Sequence, residues 1–332
     1  MSLPGRLRSF QRPFFFRRAS SCVLICVLLL FAGAVSAQES RRIRMAYSAF
    51  SISFLNIFVA RDAGLFKKHG LDVELIQMAG PIPIAALSAG EIDYLTGFSI
   101  GLVAAGQGAP LKGIMIILRK PPFYVVSEPA IQRVNDLAGK RFAVDRIGSL
   151  QHLVSRLLVK HKGVDPEKIS FTQTGSVSNT VTSLGQGAVS AALLSGPHNV
   201  IMTQKGFRQI AAADELPMQF PTSGLVVQEN KIRTDPGRIK TVIRAILETL
   251  AFSQKERGWV VNYIKDKWKV DGRIAETVYE QWLSTVTHDG KISVKDLQEY
   301  FDLAYASRQI PSQVNVAAVT DYSLLDQVLT GK

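Results

Sequence analysis

The stretch ARDAGLFKKHGLDVELIQMAG, residues 60–80, joins a predicted helix to a predicted strand. Apolar side chains recur with helical spacing over residues 54–63, whereas apolar and charged residues alternate in LDVELIQ, residues 71–77. Gly64 and Gly70 can adopt the left-handed backbone that ends helices. Three basic residues between these glycines are expected to form a solvated turn: Lys67, Lys68 and His69. The stretch therefore predicts scaffold, not a reactive site.

The same alternation of strands and helices extends outward from this stretch. We predict strands at residues 42–48, 71–77, 92–97 and 111–119, separated by helices at residues 54–63, 81–90 and 99–108. The apolar run LKGIMIILR, residues 111–119, is typical of a buried parallel strand. This order, β-α-β-α-β-α-β, predicts a parallel sheet with helices on its faces.

A second α/β unit follows in the middle of the chain. Strands are predicted at residues 123–127, 140–145, 169–173, 189–195 and 207–213, and helices at residues 149–163, 178–187 and 196–206. The strand TSGLVVQEN, residues 222–230, is expected to return to the first unit, and four helices are predicted between residues 236 and 309. We therefore predict a discontinuous lobe I (38–121 and 221–332) and a lobe II (122–220), joined by two chain crossings that form a hinge and a cleft.

The N-terminus has the pattern of a secretory signal peptide. The first 20 residues carry five arginines and no acid, and CVLICVLLLFAGAV, residues 22–35, is an uncharged apolar run. Small residues follow, so residues 1–37 are predicted to be a leader cleaved near Ala37, which implies a periplasmic protein. The apolar run is shorter than the ~20 residues of a membrane-spanning helix. Retention of the leader as a membrane anchor is the alternative.

Charge and cysteine content exclude several classes of function. The chain of 332 residues has a net charge of +12, and removal of the five leader arginines leaves +7 on dispersed basic residues. No long basic tract interleaved with aromatic residues is present, so we expect no nucleic-acid partner. Both cysteines, Cys22 and Cys26, lie in the leader. The remaining chain can form no disulfide or thiolate metal site, and we expect no metal and no cofactor.

Four segments carry a resemblance to a known family. They are YSAFSISFLNIFVARDAGLFKKHGLDVELI (47–76), LSAGEIDYLTG (87–97), VNDLAGKRFAVDRIGS (134–149) and GLVVQEN (224–230). Together they resemble the solute-binding proteins of bacterial ABC importers, specifically the nitrate/sulfonate/taurine and thiamine-pyrimidine binding family. The resemblance implies a type II periplasmic-binding-protein fold, in which two α/β lobes clamp a small molecule. It also implies delivery of that molecule to an inner-membrane permease and its ATPase, and we expect a monomer.

Candidate ligand-binding residues follow the carboxyl ends of predicted strands, where open α/β sheets bind ligands and helix starts offer free N–H groups. They are Ser48, Phe50, Phe54, Thr96, Phe98, Ser99, Arg146, Gly148, Ser149, Ser178, Asn179, Ser195, Pro197 and His198. Hydroxyl groups at helix starts suit a nitrate-, sulfonate- or carboxylate-like group, and the phenylalanines could contact a heteroaromatic ring or an alkyl tail. Each residue also has a structural interpretation, because hydroxyl residues are ordinary helix caps and phenylalanines are ordinary core residues.

Two alternatives to transport stay open. A periplasmic ligand-sensing protein would share all of these features. An enzyme on the same fold is disfavoured, because the related thiamine-pyrimidine synthase uses a cysteine-rich motif that this chain lacks after residue 26. No H-E-x-x-H motif occurs either, although composition leaves a Ser-His-Asp triad open. The sequence thus predicts a non-enzymatic carrier.

Overall fold

Ten strands and thirteen α-helices are formed by residues 42–308 and 310–331, which a computed structural model describes. The predicted leader lies outside these residues. The strands are β1 (Ile43–Tyr47), β2 (Val73–Gln77), β3 (Tyr94–Leu95), β4 (Leu111–Leu118), β5 (Phe123–Ser127), β6 (Arg141–Val144), β7 (Ser170–Gln173), β8 (Ala191–Ser195), β9 (Arg208–Ala212) and β10 (Ser223–Gln228).

Seven of the helices lie between strands of the two sheets, and the other six follow β10. They are α1 (Leu55–Asp62), α2 (Leu65–Lys68), α3 (Ile82–Ala89), α4 (Phe98–Gly106), α5 (Leu150–His161), α6 (Val177–Gly185), α7 (His198–Gln204), α8 (Glu229–Thr234), α9 (Pro236–Lys255), α10 (Arg257–Trp268), α11 (Gly272–Leu283), α12 (Val294–Ala306) and α13 (Ser323–Leu329). Five short 3₁₀ turns complete the pattern: Ile52–Phe54, Val134–Leu137, Pro166–Lys168, Ala213–Glu215 and Val316–Ala318.

Two five-stranded sheets have the same arrangement of strand directions. The first has the order β2-β1-β3-β10-β4 and the second the order β7-β6-β8-β5-β9. In each, four strands run in the same direction and one is antiparallel to both of its neighbours: β10 in the first sheet and β5 in the second. The predicted return of the strand after residue 222 to the first unit is therefore confirmed, while the domain boundaries stay a prediction.

The expectation that β4 pairs as a parallel strand is wrong. Its strand partner is β10, and this pairing is antiparallel, with Leu225 opposite Met115. The apolar run is nevertheless explained by burial, because seven of the eight β4 residues are buried. Helices α4 and α13 both pack against this strand. The continuous apolar run of β4 thus indicates that both faces of the strand are buried, and it does not indicate the direction of the strand.

The opening stretch forms the predicted helix stop and strand entry. Gly64 and Gly70 have φ values of +75° and +71°, in the left-handed region. The residues between them form the short helical turn α2, in which Lys67 and Lys68 are exposed as predicted. Lys68 and His69 both contact the Glu248 carboxylate on α9, with His69 Nε2 at 2.7 Å. These two side chains therefore tie the turn to a C-terminal helix.

The C-terminal helices cover the first sheet. The four predicted helices correspond to α9–α12, whereas the short helix α13 was not anticipated. The buried side chains of Tyr279 and Trp282 on α11 belong to the same apolar core as Ile43 and Met45 of β1. In the part of the chain that the structure describes, no helix has both the length and the apolar character needed to cross a bilayer.

Candidate functional site

A cavity of about 410 Å³ lies between the two sheets. All of the residues around it belong to one compact unit of the chain. Its lining comes from the segments that follow β1, β2 and β3 in the first sheet and β6, β7 and β8 in the second. The two antiparallel strands contribute from their amino ends, with Thr222 just before β10 and Phe123 at the start of β5. Both lobes therefore face the same space.

Three helix starts converge on the cavity. Its lining includes Ser99 in the first turn of α4, Leu150 in that of α5 and Val177 in that of α6. The first turn of a helix has backbone N–H groups without intrahelical partners and carries the positive end of the helix dipole. These helix starts make the cavity suitable for a negatively charged or strongly polar group.

The loop before α5 is held in shape by a local hydrogen-bond network. Ser149 caps α5, because its Oγ accepts from the backbone N–H of His152 at 3.2 Å. The same hydroxyl donates to Asp145 Oδ1 at 2.5 Å, and that oxygen also accepts from the backbone N–H of Arg146 at 2.7 Å. One Asp145 oxygen is therefore already occupied by local donors.

The side chain of His152 also holds the loop before α5 by a hydrogen bond. Its Nδ1 accepts from the Gly148 backbone N–H at 3.1 Å. Burial, and then the positive charge of Arg156, lower the pKa of His152. A neutral ring with a free Nδ1 lone pair is consistent with this hydrogen bond.

The charge of the lining is carried by two side chains, Asp145 and Arg146. Arg146 is exposed, and no ion pair of its guanidinium occurs among the described residues. Its guanidinium is therefore free to pair with a bound anion, and Asp145 is the one negative side chain in the same lining. The rest of the lining is neutral, and it includes eight Ser or Thr residues: Ser48, Ser51, Ser53, Ser99, Ser149, Ser176, Ser195 and Thr222.

One polar contact crosses the cavity between the lobes. The hydroxyl oxygens of Ser51, after β1, and Ser195, at the end of β8, are 3.5 Å apart. Ser51 also accepts from the backbone N–H of Ser53 at 3.3 Å, which caps the short 3₁₀ turn. Hydroxyl groups from both sheets thus meet at this point of the cleft.

Six of the fourteen predicted site residues line the cavity: Ser48, Phe54, Ser99, Arg146, Ser149 and Ser195. Gly148 lines an adjoining cavity instead. Their contact with a ligand stays a prediction. The agreement in position follows from the rule used to select them, because each comes directly after the carboxyl end of a strand or at a helix start.

The predicted aromatic and hydroxyl residues of the first sheet that lie outside the cavity have partners within the protein. Phe50 stacks on Trp268, with ring centroids 4.6 Å apart. Phe98 is fully buried. Its ring packs against Gly113 and Gly224, because a Cβ atom at either position would lie 2.6 Å from the ring. Thr96 donates to the Ala46 carbonyl at 2.8 Å.

Four predicted residues of the second sheet also lie outside the cavity lining. Asn179 donates from Nδ2 to the Thr174 carbonyl at 2.9 Å, and Ser178 is exposed beside it. Pro197 is buried at the start of α7. His198 follows it, and burial lowers the pKa of this histidine.

Sequence reasoning did not select several residues that line the cavity. Phe123 and Thr222 were missed because the search followed carboxyl ends of parallel strands, whereas both enter from the amino ends of antiparallel strands. Gln151 and Gln173 also line it, and both hydrogen-bond the loop: Gln151 Oε1 accepts from Asp145 N and Gln173 Oε1 from Ile147 N. Their residue types carried no signal for this role.

No group of three or more His, Cys, Asp or Glu side chains suited to a metal ion is present within residues 42–308 and 310–331. The arrangement described above is instead that of a cleft for a small molecule, with polar donors at helix starts and apolar walls.

These features define a type II periplasmic-binding-protein fold. They are the two five-stranded sheets, the one antiparallel strand in each (β10 and β5) and the cavity between the lobes. Solved structures agree. The alkanesulfonate-binding protein SsuA from Xanthomonas axonopodis pv. citri, bound to MOPS, superimposes with a TM-score of 0.72 at 20% identity, over 84% of this chain and 98% of that one. The aliphatic sulphonate binding protein SsuA from Escherichia coli gives a TM-score of 0.68 at 19% identity, over 83% and 91%. The predicted fold is therefore confirmed.

The profile of the family described as NMT1/THI5 like matches residues 51–256, and the chain belongs to this family. A relative that spans the chain is YtlA of Bacillus subtilis (strain 168), whose name describes a candidate binding protein; it is 21% identical over 92% of this chain and 96% of its own length. The 4-amino-5-hydroxymethyl-2-methylpyrimidine phosphate synthase THI11 of Saccharomyces cerevisiae is 26% identical over 36% of each chain. These comparisons support a ligand-binding role.

Proposed function

We propose that this chain is the solute-binding subunit of a bacterial ABC importer, which captures a small organic anion in the interlobe cleft. The anion is then delivered to a permease and its ATPase in the inner membrane. The observation that carries the proposal is the cavity itself, where three helix starts and the unpaired guanidinium of Arg146 face the same space. The predicted leader, cleaved near Ala37, would place the protein in the periplasm.

The chemistry of the lining supports an anionic head group such as a sulfonate or carboxylate. A fully ionised oxyanion accepts several hydrogen bonds at once, and hydroxyl groups and backbone N–H groups at helix starts supply them without a proton transfer. Arg146 adds a charge-assisted donor. The SsuA proteins of similar fold bind sulfonates, as their names state, which agrees with this chemistry.

The apolar part of the lining supports a ligand with a hydrocarbon or ring body. Phe54 from one lobe and Phe123 from the other line the cavity, together with Ile100 and Leu150. The cavity of about 410 Å³ is within the range of small-molecule sites, roughly 300–1,000 Å³. An alkanesulfonate or an aromatic carboxylate satisfies both the polar and the apolar surfaces.

Capture is proposed to occur by closure of the lobes. A ligand that contacts both lobes favours the closed arrangement by its differential affinity, and the permease would recognise that arrangement. A difference in X-ray scattering profile between free and ligand-saturated protein tests this step, and identical profiles with a proven ligand would contradict it.

Calorimetric titration of the purified protein with a panel of compounds tests the proposal for the ligand. The panel contains alkanesulfonates, taurine, nitrate, aromatic carboxylates and neutral pyrimidines. We expect binding by at least one organic anion, with stabilisation against heating that rises with ligand concentration. Binding of neutral pyrimidines alone, or of no compound in the panel, would contradict it.

A transport role and a sensing role are separated by an uptake assay in the parent bacterium. Deletion of the gene should abolish uptake of the radiolabelled ligand if the chain serves an importer. Unchanged uptake together with a lost transcriptional response would instead support the sensing alternative. The desulfurization enzyme DSZB also has a similar fold, with a TM-score of 0.67 at 13% identity, and this similarity shows the fold alone.

A further inference from the structure

A second cavity of about 580 Å³ adjoins the first. The two share six lining residues: Gly80, Ser99, Ile100, Arg146, Ser149 and Leu150. The remainder of the second lining comes from α3, α4, the loop before α5 and the C-terminal half of α12 with the two residues that follow it, Ser307 and Arg308. The shared residues make the two cavities one connected space, so a ligand in the first could extend into the second.

The second cavity is positively charged. Arg146 and Arg308 both line it, and the lining contains no aspartate or glutamate. In the part of the chain that the structure describes, neither guanidinium takes part in an ion pair. Two cations that face one cavity without an acidic partner repel each other and attract an anion. Binding of an anion between them removes this repulsion.

A buried tyrosine adds an unused donor to this charged lining. Tyr300 on α12 is only 2% exposed and lines the second cavity. Its phenolic oxygen makes no hydrogen bond with any residue in the described ranges, so it is available to a bound group. Burial raises the pKa of Tyr300, so the hydroxyl keeps its proton and remains a donor to an anion.

The backbone at Arg308 is also unusual. Its φ is +58°, just beyond the end of α12, where glycine is the common residue because other side chains fit the left-handed region poorly. Lys269 is the other residue with this property in the described chain, and it lines neither cavity. An arginine at this strained position projects a charge that glycine could not provide, which agrees with a role for the guanidinium.

We propose that the ligand is an organic dianion, with two anionic groups separated by a short apolar chain. One anionic group lies at the helix starts and hydroxyl groups of the first cavity. Arg308 and Tyr300 bind the other anionic group in the second cavity. Ile100 and Leu150, which line both cavities, contact the apolar chain between them. This proposal rests on the proposed function and narrows its ligand from an organic anion to a two-headed one.

The test compares propane-1,3-disulfonate with propane-1-sulfonate by calorimetric titration of the full chain. We expect the disulfonate to bind about tenfold more tightly than the monosulfonate, as one additional charge-assisted contact provides. In Arg308→Gln this preference should disappear, while the monosulfonate keeps its Kd within about twofold, because only the second head is lost. Arg308→Gly, which accepts the same backbone conformation, should behave in the same way if Arg308→Gln does not fold.

The matched control is Arg273→Gln, which removes an exposed arginine of α11 that lines neither cavity. It should retain the preference, which separates a local contact from general attraction to a positive protein. Equal affinity of the wild type for the two probes, or an unchanged preference in Arg308→Gln, would overturn the dianion proposal alone. Failure of both probes and of the whole anion panel to bind would overturn this proposal and the proposed function together.

Discussion

The two walls of the first cavity differ in charge. The wall from the first sheet is neutral and consists of hydroxyl, small and apolar residues, including Ser48, Ser99 and Thr222. The wall from the second sheet holds both charged side chains, Asp145 and Arg146. Because the sheets share one arrangement of strands, this difference comes from the loops and not from the fold. It indicates that the first wall sets the shape of the site and the second sets its preference for charge.

Gly224→Ala should break the shape of the first wall. An added Cβ would lie 2.3 Å from the Met115 carbonyl oxygen and 2.6 Å from the Phe98 ring, and Phe98 begins the helix that carries Ser99. We expect a loss of about 3 kcal/mol in the free energy of unfolding, since overpacking against backbone cannot relax cheaply. Urea denaturation measures it. Gly258→Ala, with open space at that position, is the control and should change stability by less than about 1 kcal/mol.

Arg146→Gln should remove the charge preference of the second wall. We expect the Kd of an alkanesulfonate that binds the wild type to rise about thirtyfold, corresponding to about 2 kcal/mol for a charged hydrogen bond. The melting temperature without ligand should stay nearly constant, because the guanidinium has no ion-pair partner to lose. Arg141→Gln, an exposed arginine of β6 outside the cavity, is the matched control for calorimetry. An equal weakening in both variants would mean that Arg146 acts only through the net charge of the protein.

Asp145→Asn should have the opposite effect on anion binding from Arg146→Gln. The amide oxygen can still accept from Ser149 and from the Arg146 backbone, so the loop should keep its shape. Loss of the negative charge should tighten alkanesulfonate binding about threefold, the effect of two charges about 7 Å apart in water. Glu91→Gln, an exposed acid outside the cavity, should leave the Kd unchanged. Weaker binding by the asparagine variant would show that the carboxylate organises the site.

Acidification should weaken the second lobe slightly, through His198 at the start of α7. Burial lowers the pKa of His198 in the folded protein, whereas in the unfolded chain this histidine has its ordinary pKa of about 6.5. Below pH 6.5 the unfolded chain therefore binds more protons than the folded protein does. This contribution to stability is present above that pKa and is lost as the pH falls through it. The melting temperature of the wild type should therefore decrease between pH 7 and pH 5. In His198→Gln the decrease should be smaller, whereas His161→Gln, an exposed control, should follow the wild type.

The sequence predicted most of the fold because local patterns and the buried faces agree. Strands β1 and β2, and helices such as α5, lie where the apolar periodicity places them. Strand direction was less accessible, since β4 is buried on both faces and its partner, β10, lies more than a hundred residues later in the chain. The short helix α13 was not predicted, because seven residues give a weak periodic signal.

The candidate site was predicted where it depends on strand ends and was missed where it depends on tertiary partners. Ser149 and Arg146 follow directly from the strand–loop–helix rule. No local pattern could indicate that Trp268 covers Phe50, or that two distant glycines make room for Phe98. Thr222 and Phe123 required knowledge of which strands run antiparallel. The residues that were misplaced are thus those whose surroundings come from remote segments.

The most direct test of the central claim is a crystal structure with 2-bromoethanesulfonate, located by the anomalous scattering of its bromine. The account predicts one bromine position in the first cavity, with the sulfonate oxygens at hydrogen-bonding distance from the first turns of α4, α5 or α6 and from Arg146. A bromine position outside both cavities, in crystals of a protein shown by calorimetry to bind the compound, would contradict the assignment of this cleft as the site of anion capture.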